Sequence, residues 1–189
     1  MNKLVIFSGL PGTGKSTLAH RLAYELQWPL LCIDDVLGEI PENPTVAFWD
    51  SKVAILLGLA EVQIELGLSV IVDSVFMNTD RHHAQQIAAK YGAHFRPIYT
   101  LVSNDQVWEQ RVTERYALLN NQNVATWEDV QRQRGHFREW EAGTALFVDA
   151  LDPVEENYAD VLSFVMSETV DLKPLEDIPW AIGAYHGSK

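Results

Sequence analysis

Short β-branched runs alternate along the chain with longer stretches whose apolar residues recur every three or four positions. That alternation is the sequence form of a parallel sheet flanked by helices. Five runs predict strands: Lys3 to Phe7, Pro29 to Ile33, Ser69 to Val72, Phe95 to Val102, and Ala145 to Asp149. After the first, Thr17 to Leu26 places Leu18, Leu22 and Leu26 on one helix face. Thr45 to Leu66 predicts a long helix stopped by Gly67, a residue that ends helices by turning left-handed. Asp80 to Lys90, with Gly92 close behind, predicts the next. Ser103-Asn104-Asp105-Gln106 reads as a capping box for a helix running to Arg115, and Thr126-Trp127-Glu128-Asp129 starts another in the same manner. Asp152-Pro153 opens the last helix with a capping carboxylate and a proline at its first position.

Two stretches break the pattern. Tyr116 to Ala125, Asn-rich at its centre, predicts a mobile connection between two arginine-bearing helices. The tail from Asp171 to Lys189, with Pro174, Pro179, Trp180, Gly183, Tyr185 and Gly187, has no period, so it either wraps the domain or covers a neighbour.

Composition narrows the class. At 189 residues and 47% hydrophobic content the chain suits one domain with a sizeable core. Its apolar runs, such as Val53 to Leu57, are too short to cross a bilayer, so no membrane partner is expected. Met1-Asn2-Lys3 leads straight into the first strand, which leaves no signal peptide and predicts a cytoplasmic protein. Cys32 is the only cysteine; it excludes an internal disulfide and any multi-cysteine metal site and reads as a small buried hydrophobe. The formal net charge of −12 repels polyanions, so nucleic acid is disfavoured as a partner though not excluded by charge alone.

The chemistry begins directly after the first strand. Gly9, Leu10, Pro11, Gly12, Thr13, Gly14, Lys15 and Ser16, followed by Thr17, form a complete G-x-x-x-x-G-K-[ST] loop between a strand and a helix. Its glycines allow successive backbone N–H groups to wrap a nucleotide phosphate. Lys15 is placed to reach the β- and γ-phosphates, and the Ser16 hydroxyl to hold Mg²⁺, so ATP and Mg²⁺ are the expected cofactors.

Asp34 and Asp35 follow the second strand, at the edge of the sheet where ligands gather. Transfer of a phosphoryl group to an alcohol needs a carboxylate that orients the hydroxyl and takes its proton; Asp34 is the candidate, with Asp35 as a Mg²⁺ or structural partner. Capping of the following helix is the other reading of this pair. Asp73 ends the third strand, where a carboxylate supports the metal. It is followed by Ser74 and not by the Glu that polarises water in motor ATPases, which favours transfer over hydrolysis. Arg111 and Arg115, four apart on one helix face, are candidates to stabilise charge on the moving phosphoryl group, unless Glu109 and Glu114 pair them as surface ions. Arg132, Arg134 and Arg138 read as surface charges, and His82 and His83 as an exposed helix start without metal-ligand spacing.

With those residues placed, the chain resembles the zeta-toxin, polynucleotide-kinase-like and chloramphenicol-phosphotransferase-like group of P-loop kinases, which carry an AAA-type ATP-binding domain. The carriers are Gly9 to Thr17, Ile33-Asp34-Asp35, Val70 to Asn78 with Arg81, and Arg111-Val112-Thr113-Glu114-Arg115. The resemblance implies an α/β, three-layer P-loop NTPase fold with a five-stranded parallel sheet and a small helical lid near residues 111–135. The kinase domain would then span residues 1–168 and the tail 169–189. It also implies that Asp34 is the base and that Arg111 and Arg115 are the lid arginines. Polynucleotide kinases of this group tend to carry an arginine three residues after the base; here Leu37 stands there, and with Phe48 and Trp49 it suggests an acceptor pocket with apolar walls.

The expected activity is therefore ATP-dependent transfer of the γ-phosphate to a hydroxyl of a small-molecule acceptor. A toxin-type or polynucleotide 5′-hydroxyl kinase and a non-catalytic nucleotide-binding regulator are the alternatives. A regulatory GTPase is disfavoured: no N-K-x-D motif reads guanine, and Asp73-Ser74-Val75-Phe76 lacks the D-x-x-G glycine. The acceptor's identity and the oligomeric state are not encoded in any motif.

Overall fold

A computed structural model of the protein describes residues 1–37, 45–119 and 124–175. Five strands, β1 (Lys3–Ser8), β2 (Leu30–Cys32), β3 (Val70–Asp73), β4 (His94–Leu101) and β5 (Leu146–Asp149), form one parallel sheet in the order β2-β3-β1-β4-β5. Each strand run stands within a residue or two of its predicted position. The register pairs Phe7 and Cys32 with Asp73, so the carboxyl ends of the first three strands finish level. That common edge carries the chemistry.

Alternation along β1 divides the core into two halves. Val5 and Phe7 point to α1 (Lys15–Leu26) and α7 (Val154–Met166), packing with Leu18, Leu22, Val161 and Val165. Leu4 and Ile6 point to the opposite layer, built from α3 (Val46–Glu65) and α4 (Asn78–Lys90). Helices cover both faces of a sheet whose central strand is fully buried, and the three-layer α/β fold follows. The short α2 (Ile33–Leu37) leads from β2 toward α3. Two more helices, α5 (Asp105–Leu118) and α6 (Trp127–Arg134), add Trp108, Val112 and Val130 to the second core.

Several helix ends differ from expectation for local reasons. Asn104, not Ser103, caps α5, because its Oδ1 accepts from both the Gln106 and Val107 amides. The helix then runs three residues past Arg115, so the start of the expected mobile connection is helical; residues 120–123 lie outside the described residues. Pro153 occupies the cap of α7 with no side-chain cap bond, and Asn157 Nδ2 instead donates to the Asp149 carbonyl at 2.8 Å. At α6 the box is as expected, Thr126 and Asp129 each bonding the other's backbone amide. Gly67 ends α3 region at φ 78°, left-handed as expected.

Two buried cations close the far end of α7. Lys3 Nζ donates to the Met166 and Ser167 carbonyls, both at 3.1 Å, and Arg96 Nη2 donates to Ser167 O at 2.8 Å. Cations at a helix C-terminus satisfy its open carbonyls and its dipole together. Beyond it, the Lys173 amide donates to Gly143 O and Leu175 packs on the second core, so this part of the tail wraps its own domain. Pro179, Trp180, Gly183, Tyr185 and Gly187 lie outside the described residues. Among the described residues no helix is long and apolar enough to cross a membrane.

Asp80, in the first turn of α4, is buried and accepts from the Met77 amide at 3.0 Å. Burial holds its carboxyl up at about 7, against the pull of that amide and of Arg81. Its ionised form is thus disfavoured in the folded chain, and the cost grows as pH rises from the ordinary carboxylate value of 3.8 toward about 7. Asp80→Asn keeps the acceptor oxygen without the charge. Thermal melts should show the variant more stable than wild type near about pH 8 and level with it near about pH 4. A difference independent of pH contradicts the assignment.

Candidate active site

The glycine loop is shaped by contacts that leave no room for side chains. Gly9 has φ 144°, and a Cβ there would stand 2.3 Å from the Thr100 carbonyl oxygen. Gly12, at φ 84°, would place one 2.7 Å from Val112 Cγ2 on α5. Both positions are closed to other residues on steric and on backbone grounds. Around them Thr13 Oγ1 donates to Leu10 O at 2.8 Å and lies 2.7 Å from the Thr100 hydroxyl. The Trp108 indole N–H donates to Pro11 O at 2.9 Å. The loop is therefore braced by β4 on one side and by α5 on the other.

From this brace the chain turns into α1 at Gly14, whose φ is 85°, with no side-chain cap and no acidic residue in the first turn. The helix's first amides thus face the loop, an arrangement suited to an anion. Lys15 and Ser16 begin the helix half-buried, and Thr17 is exposed. Lys15 Nζ donates to Leu10 O at 3.1 Å. Enclosure of its ammonium pulls the pKa below the ordinary lysine value, while Asp73 and then Asp34 pull it up and Arg115 pulls it down.

Those four groups form the electrostatic centre of the site. Asp73 is buried at the end of β3, its Oδ2 lying 3.7 Å from the donating Cys32 thiol, and its Oδ1 has no hydrogen-bond partner among the described residues. Burial, with Asp73 next, pushes that thiol up to about 11, so Cys32 stays a neutral small residue there. Asp34 and Asp35 stand in the first turn of α2, which begins directly after β2, and not on the strand end itself. Both residues are exposed at the mouth of the site. Partial enclosure of the Asp34 carboxylate, with Asp73 adding like-charge repulsion, holds its pKa above the ordinary carboxylate value, against Arg115 and Lys15.

The arginine pair divides. Arg115 is exposed and acts on Asp34 and Lys15, whereas Arg111, half-buried, acts on Asp149 at the end of β5. Burial raises Asp149, but bonds from the Ser103 hydroxyl and the Leu151 and Ser103 amides, aided by Arg111, hold it below the ordinary value. Arg132, Arg134 and Arg138 pair with Asp129, Asp105 and Glu141 on the surface, as expected. Phe48 and Trp49 meet edge to face at the start of α3, 5.3 Å between centroids; the Leu37 side chain lies outside the described residues.

The sequence marked Arg81 only through the family resemblance and gave no role to it, to Trp140 or to Ser8 in holding the segment after β3. Phe76 is buried at φ 54°, a left-handed conformation that non-glycine residues avoid. Arg81, also buried, fixes it: Nε donates to Phe76 O at 3.0 Å and Nη2 to Arg138 O at 2.6 Å, with the guanidinium against Phe137 and Trp140. Trp140 in turn donates to Ser8 Oγ, which donates to Val75 O. The expected exposed helix start at His82 and His83 is corrected accordingly. The helix begins at Asn78, two residues before the expected Asp80, and both histidines lie half-buried in its second turn. No short motif marks these contacts, and the arginine next to Phe137 in the sequence, Arg138, is not the one that stacks on the rings.

For a divalent cation the donor set is spare. Among the described residues no three His, Cys, Asp or Glu side chains converge on one point. A Ser16 hydroxyl and the partnerless Asp73 Oδ1 nonetheless suit Mg²⁺, which binds few protein groups and keeps waters and phosphate oxygens as its other ligands.

A family model described as AAA domain matches residues 4–140, which include every element from β1 to α6. The chain belongs to this AAA domain family. No curated protein matches it. Among solved structures the fold is similar to a putative kinase from Chloroflexus aurantiacus, with TM-score 0.68 and 23% identity over 87% of this chain and 99% of that one. An APS kinase from Mycobacterium tuberculosis, in complex with AMPPNP and APS, gives TM-score 0.65 and 20% identity over 88% and 98%. A gluconokinase from Sinorhizobium meliloti gives 0.62 and 16% over 87% and 91%. At these identities the likeness is one of fold.

Trp108→Phe keeps the ring beside Gly12 and removes the bond to Pro11. Loss of one neutral hydrogen bond, about 1 kcal/mol, should weaken ATP binding roughly fivefold in calorimetry while the fold persists. Unchanged affinity would show that α5 does not brace the loop.

Proposed function

We propose that this AAA-domain protein is an ATP- and Mg²⁺-dependent phosphotransferase that moves the γ-phosphate of ATP to a hydroxyl of a small-molecule acceptor. One observation carries the reading: Lys15, Asp34, Asp73 and Arg115, from four different elements, act on one another at the carboxyl edge of the sheet. The kinase descriptions of the similar structures agree with it.

In this scheme the loop amides and Lys15 hold the β- and γ-phosphates, and Ser16 and Asp73 hold the cation. Bound Mg²⁺ supplies charge neutralisation between those phosphates. Asp34 orients the acceptor hydroxyl and accepts its proton as the acceptor oxygen bonds to phosphorus and the bond to the β-phosphate oxygen breaks. Arg115 stands where negative charge spreads over the moving group. Arg111, beside Asp149, is better placed to shape the nucleotide side of the site than to touch that group. Asp35 is assigned to the acceptor mouth, with no direct metal contact required of it. The absence of a glutamate after Asp73 supports transfer over hydrolysis. Leu37 in place of an arginine and the net charge of −12 favour a small acceptor over a polynucleotide.

Asp34→Asn should lower kcat by roughly 10²- to 10⁴-fold with nucleotide binding retained, and Lys15→Ala should lose both. Full activity in either variant sinks the assignment. The acid limb of the kcat/KM profile should lie above the ordinary carboxylate range, because Asp34 must be ionised and its pKa is raised. Arg115→Gln removes a cation that lowers that pKa, so the limb should move to higher pH as the rate falls. A limb that moves down, or not at all, contradicts the arrangement.

A further inference from the structure

The outer face of α3 is apolar where a surface helix should be polar. Ile55, Leu59, Val62 and Leu66 are 50%, 45%, 49% and 68% exposed, and they are spaced four, three and four apart, so they form one continuous stripe. The inner face of the same helix is already satisfied by Val53, Leu56, Leu57, Ala60 and Ile64 in the core. Glu61 is the only charged residue from 53 to 64, and it is turned sideways to Lys90 at 2.7 Å and Tyr91 at 3.1 Å. The stripe therefore carries no charge between Lys52 and Glu65. Leu68, 47% exposed beyond the helix end, extends it.

Gly58 lies at the middle of this stripe. A glycine inside a helix destabilises it by about 1 kcal/mol relative to alanine. A Cβ at Gly58 would meet nothing within 4 Å, so no contact within the described chain requires a glycine there. A bare position flanked by Ile55, Leu59 and Val62 lets another helix approach closely.

We propose that this face is a homodimer interface in which two copies of α3 pack antiparallel about a two-fold axis beside Gly58 and Leu59. The sequence is self-complementary in that register. Leu59 of one copy lies on Gly58 of the other, Ile55 meets Val62, and Trp49 meets Leu68. Like charges do not face one another. From Lys52 to Glu65 the helix is roughly 20 Å long. Two such stripes with their polar rims bury on the order of 1,200 Å², the low end for a specific interface, and the dimer should form in the micromolar range.

Sedimentation velocity on the full chain tests this. Wild type should pass from monomer to a species of twice the mass as concentration rises from low micromolar upward. Val62→Glu and Gly58→Leu should each weaken association at least about tenfold, the second by filling the close approach. Because the space at Gly58 is open, Gly58→Leu should melt no lower than wild type, which separates lost association from lost folding. A chain that stays monomeric throughout, or a dimer indifferent to Val62→Glu and Gly58→Leu, overturns the proposal.

Discussion

The approach of the Gly9 backbone to the Thr100 carbonyl is the constraint on which the site depends. A carbon atom added at Gly9 would stand 2.3 Å from that oxygen, so the chain leaves β1 with its backbone packed directly against β4. From that departure follow the Thr13–Thr100 contact, the bond from Trp108 to Pro11, and the angle at which α1 carries Lys15 into the site. The β4 and α5 contacts thus brace the glycine loop although neither belongs to the motif. A rigid loop of this kind offers preset amides to an anion, which costs little reorganisation on binding.

Electrostatics then distinguishes residues that look equivalent in sequence. Asp34 and Asp35 are adjacent, but Asp34 is the one coupled to Asp73, Lys15 and Arg115. Arg111 and Arg115 share a helix face, yet one acts on Asp149 at the end of β5 and the other on Asp34. The enclosed Lys15 and the partnerless oxygen of Asp73 are both unfavourable in the free chain and both improved by a phosphate with its cation. The ligand is thereby implied by what it would satisfy.

The fold was legible in the sequence because each strand and helix is a local pattern. The β-branched runs, the glycine loop and the Thr126 box are readable within a few residues, and all five strands stand where those patterns placed them. Helix ends were less legible: Asn104 outcompetes Ser103 because two amides, and not one, lie within reach of its side chain. The glycine loop was legible as a motif, but the contacts that support the segment after β3 were not, even where the resemblance had marked Arg81. Arg81, Trp140 and Ser8 act together on Phe76 and Val75 through contacts spanning up to 132 positions, which no local pattern reveals. Likewise the solvent-facing stripe on α3 was hidden by a helix that is apolar all round, since periodicity alone does not say which side is covered.

The most direct measurement of the central claim is the fate of the γ-phosphate. ATP labelled at that position would be incubated with the protein, Mg²⁺ and panels of nucleosides, sugars, aminoglycoside- and phenicol-type antibiotics and short oligonucleotides, with Asp34→Asn in parallel. The account predicts label on a small-molecule alcohol, abolished in the variant. Label released only as inorganic phosphate throughout, at a rate the variant shares, would contradict it.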